Sequence, residues 1–63
     1  MVKELSIAQS AIHSAQYHLQ KYELENLGSI FVSRETEQDI KVLVLVLEAA
    51  DAGIGAIIHE IYA

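Results

Sequence analysis

Apolar residues recur along this chain at alternating three- and four-residue steps in two blocks, separated by a short break around Gly28. In the first block Leu5, Ala8, Ile12, Ala15, Leu19 and Tyr22 form one stripe, with Ala11 and His18 widening one edge and Ser10, Ser14 and Lys21 opposite. A single stripe of this period predicts an amphipathic helix over about residues 3–27. After Tyr22 the stripe shifts phase to Leu24, Leu27 and Phe31, which implies a rotated contact face or fraying toward a turn. Gly28 suits the left-handed residue just past a helix end.

The second block opens with a good N-cap, Ser33, followed by Glu35, Glu37 and Asp39 near the positive end of the helix dipole. Thr36 stands three residues after the cap in place of Glu or Gln, so the capping box is incomplete. From there a proline-free helix over about 34–62 carries two apolar stripes rather than one. The larger runs Ile40, Leu43, Val44, Leu47, Ala50, Ile54, Ile57, Ile58 and Ile61; the smaller runs Val42, Val46, Ala49, Gly53 and Ala56. A helix with two apolar faces is expected to have two neighbours.

A rival pattern lies in the β-branched runs IFV and IKVLVLVL, which as strands would give an α-β-β-α order. The helical phase that continues from Ile40 to Ile61 favours helix. The predicted fold is therefore all-α: one domain over 1–63, a helical hairpin made antiparallel by its short link, pairing into a dimeric four-helix bundle or a larger oligomer. Leu5, Ile12, Leu19 and Tyr22 of the first helix and Ile40, Leu43, Leu47, Ile54, Ile57 and Ile61 of the second are the expected intra-hairpin core. Val42, Val46, Ala49, Gly53 and Ala56 are the expected oligomer interface, where Gly53 would permit close helix approach.

Size supports the need for a second copy. A chain of 63 residues buries only about 60% of the surface its unfolded form exposes, and with no cysteine it has no disulfide or thiolate metal site as a staple. A hydrophobic share of 52% is too high for disorder. The net charge of −5, with only Lys3, Lys21, Arg34 and Lys41 as fixed cations, argues against a nucleic-acid partner. It also argues against an anionic membrane surface. A spanning segment over 40–58 would carry Glu48 and Asp51 inside it, at about 2.5–3.5 kcal/mol for an acid at the bilayer centre. No signal-peptide pattern opens the chain, so a cytoplasmic location is expected.

The length and layout are similar to the small plasmid-encoded helical hairpins that pair into four-helix bundles and bind RNA. The acidic charge speaks against carrying that function over.

Candidate chemistry is sparse. His13 and His18 diverge by about 140° on a helix, and no histidine follows a Glu by three residues, so the Glu-x-x-His pattern of carboxylate-bridged bundles is missing. His18 is expected at the core edge, with His13 and His59 solvated. Asp51 is a polar mark on the large stripe, expected at its edge in water or paired with a Lys or His of the first helix, or else setting register. Tyr17, with His13 beside it, is the candidate partner contact. With no activated nucleophile or acid–base pair, no enzyme activity and no cofactor are expected.

The expected function is a small acidic interaction or regulatory module that acts as a homo-oligomer on a larger protein, of the kind carried by phages and mobile elements. The alternatives are a structural subunit of a larger hetero-complex and a metal- or ligand-binding bundle using His18, Asp51 and His59 between copies.

Overall fold

The computed structural model describes residues 2–63, which form two helices, α1 (Lys3–Glu25) and α2 (Arg34–Tyr62). No described residue is in a strand, and 40–47 lie well inside α2, which sets the α-β-β-α order aside. The dominant signal was the helical phase of the apolar positions, not the β-branched content.

Local chemistry sets the breaks. Ser33 is extended (φ −72°, ψ 158°) and its Oγ accepts the Thr36 N–H at 3.1 Å, while the Glu37 N–H donates to the Ser33 carbonyl. One of the four unpaired donors of a helix start is thereby satisfied. At the other break the Asn26 N–H and side-chain Nδ2 both donate to the Tyr22 carbonyl. Gly28 then turns the chain at φ 74°, among the described residues the one positive φ, a conformation glycine adopts without a Cβ clash. α1 ends at Glu25, two residues short of the expected end, because Asn26 caps the last turn and the left-handed residue comes two positions later.

The helices run antiparallel as a thin rod whose Cα atoms extend 49 × 15 × 12 Å. Two cross-helix neighbours fix the register: His13 Nε2 lies 3.1 Å from Asp51 Oδ1, and a Cβ built on Gly55 would lie 3.7 Å from the Gln9 side chain. In each pair the residue numbers add to 64. A lone pair of helices has a seam but no interior, since each seam residue is covered from one side only. Accordingly Ile40, at 9% exposure, is the one buried apolar side chain among the described residues. It sits where the turn folds back and Tyr22, Leu27 and Val32 join it around a small cleft.

The seam differs from the expected core. On α1, Leu5, Ala8, Ile12, Ala15 and Leu19 are half-buried as the stripe implies, but Tyr22 is 40% exposed and Glu23 is the more covered residue. On α2 the half-buried line is Glu37, Val44, Leu47, Asp51, Ile54 and Ile58, with Ile40 buried among them. Leu43 at 50%, Ile57 at 46% and Ile61 at 39% stand on its flank. The large stripe was too wide for one neighbour. A partner helix covers only part of so broad an arc, and it takes the 40–44–47–51–54–58 line because that line pairs with Ile12 and Leu19 at this register.

Candidate interaction surface

The seam divides the rod into two broad faces, and the cross-helix contacts identify which residues share each. Gln9, His13, Gln16, Gln20 and Glu23 step by four and three along one edge of the α1 seam. His13 bonds to Asp51, Gln9 lies beside Gly55, and Gln20 and Glu23 line a shallow groove with Lys41, Val44 and Leu45. These residues therefore make one face, and it is predominantly polar. The opposite edge of α1 carries Ala8, Ala11, Ala15, His18 and Tyr22, and it adjoins the α2 flank of Leu43, Ala50, Ile54, Ile57 and Ile61. That face is apolar along most of its length, with His18 as its central polar residue.

A third surface is the outer edge of α2. At about 100° per residue, Val42, Val46, Ala49, Gly53 and Ala56 point about 160° away from the seam. All five are exposed, and a Cβ built on Gly53 would meet nothing within 4 Å. Close helix approach at Gly53 is thus not made within the hairpin. Taken together, α2 leaves a continuous apolar arc uncovered from Leu45 round to Leu43. The end of α1 and the turn add Leu24, Leu27, Ile30 and Phe31, the last at 91% exposure. The phase shift after Tyr22 was the sequence signal for these tip residues.

The total accessible surface measures the same deficit. The chain exposes 4954 Å², whereas a globular monomer of 7.0 kDa is expected to expose about 4,000 Å². The excess of roughly 900 Å² matches the ~800 Å² that each partner contributes to a standard protein–protein interface.

The polar candidates are distributed on the faces just described. Asp51 lies between Leu47 and Ile54 at the polar side of the seam, with its side chain 32% exposed and that of His13 60% exposed. His13, expected to be solvated or to meet a partner, is the residue that bonds Asp51, although it lies nearer the turn end of its helix than Asp51 does. His18 is exposed and stacks edge-on against Tyr17 at 5.2 Å between ring centres. Tyr17 is itself 60% exposed. By the register, His18 and His59 of one copy are about 20 Å apart along the rod. No three metal-ligating side chains converge among the described residues. The cleft by Ile40 holds about 70 Å³, well below the ~300–1,000 Å³ of small-molecule sites.

α2 is also long and apolar enough to cross a membrane by length and composition. No protein-family model, curated protein or solved structure matches the chain.

Proposed function

We propose that this protein is a non-enzymatic interaction module that works as a homo-oligomer on a larger protein partner in the cytoplasm. The observation that supports this reading is the apolar arc of α2. Residues such as Val42, Leu43, Leu45, Val46 and Ile57 stay about half exposed or more in the hairpin, which is more apolar surface than a small monomer sustains in water. Self-association removes part of that surface, and leaves the Tyr17-bearing side of α1 free for the partner. Tyrosine is suited to that role because it carries a large rigid ring and a polar tip.

Replacing Tyr17 with a photo-crosslinking amino acid in cells tests the partner half of the proposal. A covalent adduct to one larger protein, lost when Lys21, one turn along from it, is reversed in charge, is the expected result. Adducts to its own copies alone would contradict it.

One observation favours a second reading, in which α2 spans a bilayer: its length and apolar character. Against it, Glu48 and Asp51 fall inside the apolar stretch, each at about 2.5–3.5 kcal/mol if centred in the bilayer. Flotation with neutral lipid vesicles distinguishes the two, since a self-associated module stays in the dense fraction.

A further inference from the structure

We infer that the second copy covers the broad apolar face of the hairpin, not the outer edge of α2, closing a four-helix bundle around Ala11, Ala15, Tyr22, Leu43, Ala50 and Ile57. This rests on the self-association proposed above and specifies the surface that carries it. Three observations select this face. It draws on both helices, whereas the edge stripe draws on one. Its central stretch holds no carboxylate or lysine, because His13, Glu23, Lys41, Glu48 and Asp51 belong to the opposite face, and Glu4 and Asp39 share this edge only toward the two ends of the rod, so burying the centre strands no ion.

Its relief is also suited to a copy of itself. Leu43 and Ile57 form a ridge along α2, and Ala11 and Ala15 leave a hollow along α1, so one patch supplies both halves of a two-fold contact. In such a bundle Tyr22, Leu43, Ile57 and Ile61, which a single hairpin leaves 39–50% exposed, become core.

Cysteine labelling tests the assignment, because the chain has no cysteine of its own. Ala49 and Ala50 are adjacent and both exposed in the hairpin, so Ala49→Cys and Ala50→Cys are equally mild substitutions. Under native conditions Ala50→Cys is expected to react with a thiol reagent at least about tenfold more slowly than Ala49→Cys, a gap that closes on dilution to monomer. In parallel, Leu43→Glu with Ile57→Glu is expected to yield a monomer by light scattering, and Val42→Glu with Ala49→Glu to keep the oligomer. The inference is overturned, with self-association intact, by slower labelling at Ala49→Cys in an oligomeric sample. If the unmodified chain is monomeric and both cysteines label at one rate, the self-association reading fails as well.

Discussion

Asp51 is the residue where two physical effects oppose each other most directly. Its carboxylate sits in an apolar line between Leu47 and Ile54 and bonds to a mostly exposed histidine. An ion pair so open to water contributes at most about 1 kcal/mol. A leucine largely covered at the same position contributes about 1–2 kcal/mol from burial. Asp51→Leu is therefore expected to raise the thermal midpoint by about 2–6 °C for a domain of this size, as read by circular dichroism. A clear fall would mean that the His13 pair outweighs burial. The presence of a polar residue at 51 was legible from its place on the apolar stripe. Its partner was not, because His13 and His18 both border the first stripe. Only the register, set by where Gly28 turns the chain, decides which of them comes level with Asp51.

At the scale of the elements, both helices and the break between them were legible because each rule agreed with the next: period, cap, acidic first turn and glycine. The seam was less so. α2 is apolar round more than half its circumference, so its sequence specifies that it has neighbours without ranking which line faces which. Gly53 and Gly55 offer a test at this level. Both lie in a helix interior, where glycine costs about 1 kcal/mol relative to alanine. A Cβ at Gly53 meets open space, and one at Gly55 would make an ordinary 3.7 Å contact with Gln9. Gly53→Ala and Gly55→Ala are each expected to stabilise the protein by about 0.5–1 kcal/mol in urea unfolding. If the second copy covers the broad face, as proposed above, Gly53→Ala also leaves the oligomer unchanged. A loss of the oligomer in Gly53→Ala alone would place the contact on the Val42–Ala56 edge.

For the molecule as a whole, a single hairpin leaves much apolar surface uncovered. Two helices side by side make a seam, one buried isoleucine and a rod only 12–15 Å across the Cα atoms. The roughly 900 Å² of surplus surface is the counterpart of the second apolar face seen in the sequence. That face was legible as a surplus of apolar positions. The sequence pattern places it on the Val42–Ala56 edge; the broad side proposed above rests instead on which polar edges meet across the seam through His13, Gln9 and Gln20. Self-association as proposed above would link folding to association by mass action. The most direct measurement of this account is the molar mass of the purified chain by multi-angle light scattering, with far-ultraviolet circular dichroism on the same peak. A highly helical dimer, or a higher multiple, that dissociates and loses helix on dilution is the expected result. A stable, fully helical monomer at all concentrations would contradict it.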